Sequence, residues 1–294
     1  MRPTLVTLPI GAHGLGVHSY GLAIAVGFAI GVVLAAREAR RVGLDAGAML
    51  DLLFWILVSG VLGSRLAFVL LHAGDYLQLC RQGGLPGCLA PLKLWEGGLV
   101  YYGGALAATG AVALFARRRG WPFGQVADVL APALALGHAF GRLGCFFAGC
   151  CFGKPWSHGL AFPPGSVAFD DLIRTGVISA SAPATPPLHP TQLYEALGEL
   201  VIFLLLLRVR RRPPFAGATA LLYAASYAGL RFAVEIFRGD AARGFLVEAQ
   251  TPRLAALLGL PPLQPLFLST AQVTSLAVGA AAILLLVRGR AAAR

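Results

Sequence analysis

Three arginines occur inside stretches of sequence that otherwise consist of apolar residues. Arg65, Arg142 and Arg231 each lie in a segment long enough to cross a bilayer. A charged side chain at the centre of a membrane costs about 2.5–3.5 kcal/mol on insertion scales, so such residues line a wet cavity, pair with an acid or bind an anion. The guanidinium group is a planar fork of donors that suits phosphate. The three arginines therefore predict a site for a negatively charged ligand at membrane depth, with phosphate as the first candidate.

The segment around Arg231 carries its polar residues at helical spacing. Tyr227, Arg231, Glu235 and Arg238 follow one another at intervals that place them on one face of a helix. We expect Glu235 to hold Arg231 in one rotamer and to leave guanidinium donors for a ligand. The alternative is a buried Arg–Glu pair that only fixes helix packing.

Glycines flank the second arginine, in the segment Gly141-Arg142-Leu143-Gly144. Small residues let helices approach closely, and they would also let a lipid head group reach the side chain of Arg142. Plain helix packing is the alternative interpretation.

The composition indicates an integral membrane protein. Of the 294 residues, 57% are hydrophobic and 13% are charged, whereas soluble domains carry roughly 25% charged residues. The net charge of +11 comes from short basic clusters between apolar runs, which is typical of orientation signals. They do not form a basic face with interleaved aromatic residues, so we expect no nucleic-acid partner. We interpret Met1 to Gly16 as a short external segment and not as a signal peptide.

Seven apolar runs approach or exceed the length that spans a bilayer, at roughly 18–36, 50–71, 98–116, 125–147, 191–207, 216–237 and 270–287. Most basic residues follow the first, third, fifth and seventh runs, so the positive-inside rule puts the N-terminus outside and the C-terminus in the cytoplasm. The predicted fold class is an all-α integral membrane protein with seven transmembrane helices. Residues 1–294 would form a single polytopic membrane domain, with large outer loops at roughly 72–97, 148–190 and 238–269 that act as arms or lids.

This topology brings the unusual polar residues of six spans to the outer leaflet. In order and spacing they resemble the phosphatidylglycerol–prolipoprotein diacylglyceryl transferase family. The resemblance runs from about His18 to Arg238 and comprises His18-Ser19-Tyr20-Gly21, Gly63-Ser64-Arg65-Leu66, the Gly-Gly pairs on either side of Tyr101-Tyr102, Gly141-Arg142-Leu143-Gly144, His189-Pro190-Thr191-Gln192-Leu193-Tyr194-Glu195, and Tyr227 through Arg238.

The resemblance implies a bacterial inner-membrane enzyme with an active site open to the outer leaflet. Such an enzyme transfers diacylglycerol from phosphatidylglycerol to the lipobox cysteine of a preprolipoprotein signal peptide and releases glycerol phosphate. Its partners are these two substrates and membrane lipid, and no cofactor or metal is required. Arg142 and Arg231 would bind the phosphate and act as catalytic residues, oriented by Glu235. The further substrate-binding positions are Tyr20, Arg65, Gly141, Gly144, Gly153, His189, Gln192, Tyr194, Tyr227 and Arg238.

The sequence departs from the family pattern near the centre of the expected site. Tyr102 stands where the family has a histidine, and a phenol with a pKa of about 10 is a poor base at neutral pH. Tyr102 and His138, which lies one turn before Arg142, are therefore both candidate catalytic residues. Cys145 and Cys150 stand at positions where the family has Asn and Glu.

The cysteines leave several alternatives open. Five is an odd number, so at least one thiol is free or pairs between chains. Cys80 and Cys88 lie in a predicted outer loop, where a disulfide is permitted. A cluster of Cys145, Cys150 and Cys151 would fit packing residues, a metal ligand set or a thiol-redox protein. A paralogous transferase with another acceptor and an anion or lipid transporter are the remaining alternatives.

Overall fold

The computed structural model describes residues 4–8, 15–94, 97–240, 244–249, 251–261 and 266–293. The chain is predominantly helical. Its helices are α1 (Ser19–Arg41), α2 (Ala46–Leu71), α3 (Ala73–Cys88), α4 (Tyr101–Arg119), α5 (Phe123–Ala148), α6 (Val167–Arg174), α7 (Thr191–Val209), α8 (Ala218–Phe237), α9 (Pro252–Leu257) and α10 (Thr270–Ala292). Its short strands are β1 (Thr4–Leu8), β2 (Leu15–His18), β3 (Pro155–Leu160), β4 (Phe245–Ala249) and β5 (Phe267–Ser269). β1 pairs with β2 and β4 with β5, both antiparallel.

Every apolar run predicted to span the membrane is helical. Within the described ranges, five of these helices, α1, α2, α5, α8 and α10, are long and apolar enough to cross a bilayer. α4 and α7 also coincide with predicted runs, and each has 19 residues. α7 carries Glu195 and Glu199 in its sequence, and α4 ends on Arg117, Arg118 and Arg119. The chain is thus a membrane protein built of apolar helices.

The segments expected to be outer loops hold regular structure that composition did not reveal. The first of them contains α3, in which the helical path breaks at Gly84 (φ 56°) and Pro86 follows. A disulfide joins Cys80 to Cys88 across this break. Glycine and proline therefore mark a kink within a helix in this segment.

Contacts divide the chain into two compact units. The first comprises residues 1–34 and 127–294, and the second comprises residues 35–126. In the second unit α2 packs tightly on α4, because glycines lie where the helices meet. A Cβ atom on Gly104 would approach the carbonyl oxygen of Gly60 to 2.7 Å. The single domain expected from the sequence stays a prediction.

In the first unit α8 packs against α7 and α10. Ala131 and Ala135 of α5, Ile202 and Leu206 of α7, and Tyr223 of α8 form a buried apolar cluster. The N-terminus of α8 is held by Asp128 of α5, whose carboxylate accepts from the backbone N–H groups of Gly217 at 2.7 Å and Ala220 at 2.9 Å. This contact fixes α8 along α5, so residues further along the two helices keep their register.

Candidate active site

Two of the membrane-depth arginines meet at one carboxylate. Arg142 comes from α5, Arg231 from α8 and Glu195 from the second turn of α7. Arg142 Nη2 lies 2.9 Å from Glu195 Oε1, and Arg231 Nη1 lies 3.8 Å from Glu195 Oε2. Arg231 Nη2 also lies 2.8 Å from Glu235 Oε2, as the spacing on α8 predicted. Three helices therefore bring two guanidinium groups and two carboxylates together.

The network is buried but retains a donor for a ligand. Glu195 and Glu235 are each 2% exposed. The Tyr227 hydroxyl donates to Glu195 Oε1 at 3.3 Å and adds a third contact to that carboxylate. Among the described residues, Arg231 Nη1 is buried without a hydrogen-bond partner, since its contact with Glu195 is too long to be one. A buried N–H of this kind is costly unless a ligand accepts from it.

A second polar cluster lies one turn towards the C-terminus of α7 and one turn towards the N-terminus of α5. His138 Nδ1 lies 3.0 Å from Glu199 Oε1 and 2.7 Å from the Tyr223 hydroxyl, which itself donates to Glu199 at 3.4 Å. An ionised carboxylate only accepts hydrogen bonds, so an ionised Glu199 takes its hydrogen bond from Nδ1 of His138, and in the neutral imidazole Nε2 is then the nitrogen that can accept one. This arrangement gives His138 the tautomer of a general base.

A short irregular segment ties the start of α7 to the end of α8. Gly153 N–H donates to the His189 carbonyl at 2.9 Å, and Lys154 N–H donates to the Phe237 carbonyl at 2.8 Å. A Cβ on Gly153 would lie 2.5 Å from His189 Cβ and 2.8 Å from the Phe237 carbonyl oxygen. Only glycine fits between these two backbone segments, so the role of Gly153 is to let them approach closely. The buried Lys154 donates from Nζ to the Ile236 carbonyl at 3.0 Å, at the C-terminal end of α8.

Arg238 follows the last residue of α8. Its Nε and Nη2 atoms donate to the two carboxylate oxygens of Asp240, at 2.8 and 2.6 Å. This fork-to-fork pair fixes the guanidinium, which also interacts electrostatically with Cys151. The substrate-binding role expected for Arg238 stays a prediction.

His189 and Tyr194 face a neighbouring apolar pocket. His189 Nδ1 lies 3.1 Å from the Tyr194 hydroxyl, and the imidazole stacks on Trp156 with ring centroids 4.6 Å apart. Burial, and then the positive charge of Lys154, lowers the pKa of His189 below its ordinary value, which keeps the ring neutral. The pocket has a volume of about 470 Å³ and is lined by Trp156, His189, Tyr194, Ala233, Val234, Phe237 and Leu258.

Three free thiols gather at the end of α5, one in its last turn and two in the turn that follows. The sulfur atoms of Cys145, Cys150 and Cys151 all lie within 4.8 Å of one another. The hydrogen bonds from Cys145 and Cys150 hold the pKa of the Cys151 thiol below its usual range, against the opposing effect of burial. Thr191 Oγ1 and Gln192 Nε2, in the first turn of α7, donate to the carbonyls of Cys151 and Cys150, each at 2.7 Å. Gln192 thus holds this turn in place, and the substrate-binding role expected for it stays a prediction.

Glycines at the end of α5 shape the approach to Arg142. A Cβ on Gly144 would lie 3.0 Å from Tyr20 Cδ2 and 3.2 Å from the Tyr20 carbonyl, so this glycine lets α1 approach α5. No atom of the described residues lies within 4 Å of a Cβ built on Gly141. Tyr20, in the first turn of α1, is half-exposed. These contacts give Gly144 a packing role and leave space beside Gly141.

Arg65 and Tyr102 belong to the second unit. Arg65 is buried, and its guanidinium donates to four backbone carbonyls, of Ala90, Pro91, Gly97 and Gly98, at 3.0, 2.7, 2.5 and 3.3 Å. These bonds fasten the segment before α4 to α2. Tyr102 is exposed in the first turn of α4. Ligand roles for both residues stay predictions.

Sequence reasoning missed the residues that organise the site. Glu195 and Glu199 are one turn apart on α7, and both are buried against partners from other helices. The sequence did contain an indication of them, namely two acids in a short apolar helix. An ionisable residue in a membrane span usually pairs with another charged or polar group. Asp128 and Thr191 were also missed, because their partners are backbone groups distant in sequence.

The chain matches the sequence profile of the family described as prolipoprotein diacylglyceryl transferase over residues 7–288. Relatives named phosphatidylglycerol–prolipoprotein diacylglyceryl transferase include one from Clostridium tetani, 29% identical over 82% of this chain and 86% of the relative. One from Thermosynechococcus vestitus is 35% identical over 81% of this chain and 84% of the relative. One from Parasynechococcus marenigrum is 37% identical over 75% of this chain and 76% of the relative. A match of this extent, to helices that carry the paired arginines, means that the chain belongs to the prolipoprotein diacylglyceryl transferase family.

Proposed function

We propose that this protein transfers a diacylglyceryl group from phosphatidylglycerol to the lipobox cysteine thiol of preprolipoproteins, with release of glycerol phosphate. The observation that carries the proposal is the convergence of Arg142 and Arg231 on Glu195. Two guanidinium groups fixed at membrane depth suit a phospholipid whose phosphate becomes the leaving group.

The chemistry explains why two arginines are useful. The acceptor sulfur attacks the glyceryl carbon, the bond from that carbon to the phosphate oxygen breaks, and the bonding electrons leave with glycerol phosphate. The phosphate therefore gains negative charge in the transition state, and donors already aimed at it stabilise that charge. Arg142 and Arg231 supply these donors. Glu195 and Glu235 hold the two side chains in place.

His138 is the proposed general base. Glu199 and Tyr223 hold Nδ1, so Nε2 can take the proton of the incoming thiol. His138 lies one turn from Arg142 on α5, which places acid–base chemistry beside the phosphate site. Tyr102, which is exposed on α4, is proposed to contact the lipid or the peptide.

We further propose that α4 and α7 join the five apolar helices to give seven spans, with the N-terminus outside and the C-terminus in the cytoplasm. Basic residues at the ends of α1, α4 and α10 support this orientation. The arginine network then lies near the outer leaflet of the bacterial inner membrane, where phosphatidylglycerol and the signal peptide meet. Gly141 leaves room for the head group, and Tyr20, His189, Gln192, Tyr194 and Arg238 are the further residues proposed to take part in substrate binding.

The test is rescue of a bacterium depleted of its own transferase, scored by mass spectrometry of the thioether lipid on a reporter lipoprotein. We expect the wild-type chain to restore the modification. Arg142→Ala and Arg231→Ala should each lower the rate about 10²- to 10³-fold, the usual loss for one transition-state donor.

Arg174→Ala is the matched control, because Arg174 is an exposed arginine on α6 that pairs only with a local acid, Asp171, among the contacts described. It should rescue as well as wild type. Rescue by both Arg142→Ala and Arg231→Ala at wild-type rates, with normal insertion, would contradict the proposed function of the pair.

A further inference from the structure

We propose that Cys145, Cys150 and Cys151 form a zinc site whose fourth coordination position takes the acceptor thiol. The inference rests on the proposed transferase function and names the group that activates the second substrate. It departs from the expectation that no metal is required, and the geometry of the turn after α5 carries it.

The sulfur separations are close to those of a zinc site. The three Sγ atoms lie within 4.8 Å of one another. Zinc–sulfur bonds of about 2.3 Å in a tetrahedron put the sulfurs about 3.8 Å apart. Rotation of the cysteine side chains, with a closure of at most about 1 Å, therefore converts the cluster into a ligand set.

The backbone conformation after α5 directs the side chains of neighbouring cysteines towards one another. α5 ends at Ala148, Gly149 has φ 77° and Cys151 has φ 57°. Cys151 is thus a non-glycine residue in the left-handed region, which few side chains adopt. In an extended chain the side chains of Cys150 and Cys151 would point to opposite sides, and the left-handed turn brings both thiols to Cys145.

Contacts from α7 preserve this turn independently of any ligand. Thr191 and Gln192 hold the carbonyls of Cys151 and Cys150, and the Cys150 N–H donates to the Cys145 carbonyl at 3.1 Å. Ligands held by their surroundings before the metal arrives lose little conformational freedom when it binds. The turn therefore has the rigidity that a metal site requires.

The donor set leaves one position open. Three protein ligands and one exchangeable position characterise catalytic zinc, whereas structural zinc is closed by four. In the part of the chain that the structure describes, the metal-ligating group consists of these three thiols. Each of them is partly accessible. Three thiolates and Zn²⁺ carry one net negative charge, and Arg142 and Arg238 interact electrostatically with the cluster.

The acceptor thiol binds Zn²⁺ as a thiolate and loses its proton, which passes to the proposed base His138. The bound sulfur uses one lone pair to form the bond to the glyceryl carbon while the carbon–oxygen bond to the phosphate breaks. Zinc is neither oxidised nor reduced. The product is a neutral thioether, a weaker zinc ligand than a thiolate, and it leaves the metal.

The first measurement is the metal content of the full chain purified in detergent, by inductively coupled plasma mass spectrometry. We expect about one zinc per chain, lost in Cys145→Ser, Cys150→Ser and Cys151→Ser. The double variant Cys80→Ser/Cys88→Ser is the matched control, because it removes the two cysteines that form the disulfide and should keep the zinc. Copper in place of zinc, a disulfide within the cluster, or equal zinc in the serine variants overturns the proposal.

A second measurement uses wild-type protein and does not depend on the folding of any variant. Cobalt replaces zinc after chelation, and a peptide carrying the lipobox cysteine is added without lipid. We expect a sulfur-to-cobalt charge-transfer band that changes with the cysteine peptide and not with its serine analogue. An unchanged spectrum overturns the thiol-binding inference.

Transfer is then assayed with both substrates before and after chelation. Full transferase activity in metal-free protein overturns the zinc inference and leaves the proposed function standing. Absence of transfer by the untreated protein instead contradicts the proposed function. We expect chelation to abolish transfer and Zn²⁺ or Co²⁺ to restore it.

Discussion

Neutralising Glu195 without changing its shape tests whether one carboxylate holds both arginines. Arg142 and Arg231 contact its two oxygens at 2.9 and 3.8 Å. At an effective dielectric of about 20, each unit charge pair at 4 Å is worth about 4 kcal/mol. The gross attraction is therefore about 8 kcal/mol, from which the desolvation of the carboxylate is subtracted. Removal of one partner from a buried ion pair costs about 3–5 kcal/mol net.

In Glu195→Gln the two cations repel each other, and the amide N–H group faces a guanidinium donor. We expect the two guanidinium groups to move apart, so that they no longer bind the phosphate from both sides. If the cost falls on the transition state, kcat/KM for phosphatidylglycerol drops about 10²- to 10⁴-fold. The assay is transfer to a reporter peptide by protein reconstituted in nanodiscs of fixed lipid composition.

Glu199→Gln is the companion variant, one turn along the same helix. Glu199 contacts His138 Nδ1 at 3.0 Å, so its loss should lower kcat and leave phosphatidylglycerol binding unchanged. Activity of Glu195→Gln within threefold of wild type, at equal amounts of folded protein, would contradict the inference that Glu195 positions Arg142 and Arg231.

Three further predictions concern stability, each measured as the thermal unfolding midpoint in detergent. Gly153→Ala should destabilise by about 1–3 kcal/mol through overpacking, because its Cβ meets backbone on both sides; Gly137→Ala, where no described atom lies within 4 Å, should not. Asp128→Ala should cost about 1–2 kcal/mol, since it removes the cap of α8. The pKa of His189 is lowered in the folded state from its ordinary 6.5, so the unfolded chain binds the proton more tightly and stability falls as pH drops below about 6.5; His189→Gln should flatten this dependence.

Local patterns predicted much of the fold. The helix starts at Thr191 and Thr270 coincide with the predicted ones, because a proline or a capping serine precedes each and an apolar run follows. The ion pair of Arg231 with Glu235 followed from helical periodicity alone. Such features depend on residues within one or two turns of each other, and a single sequence contains that information.

Features that depend on distant residues were not predictable in the same way. Glu195 reaches Arg142 from another helix, and no pattern in one segment says which charge it meets. The carbonyls that accept from Arg65 are supplied by backbone, which has no sequence signature. α3 lies in a segment expected to be an outer loop or arm; Gly84 and Pro86 interrupt its helical path, and the Cys80–Cys88 disulfide closes its second half.

The proposed function depends on the binding of one phosphate group by both Arg142 and Arg231. Its most direct test is a cryo-electron-microscopy structure of the Glu199→Gln variant in nanodiscs rich in phosphatidylglycerol. We expect a head-group phosphate with oxygens about 2.7–2.9 Å from donors of both guanidinium groups, as in charge-assisted hydrogen bonds. A phosphate held elsewhere, with Arg142 and Arg231 in contact only with Glu195 and Glu235, would contradict it.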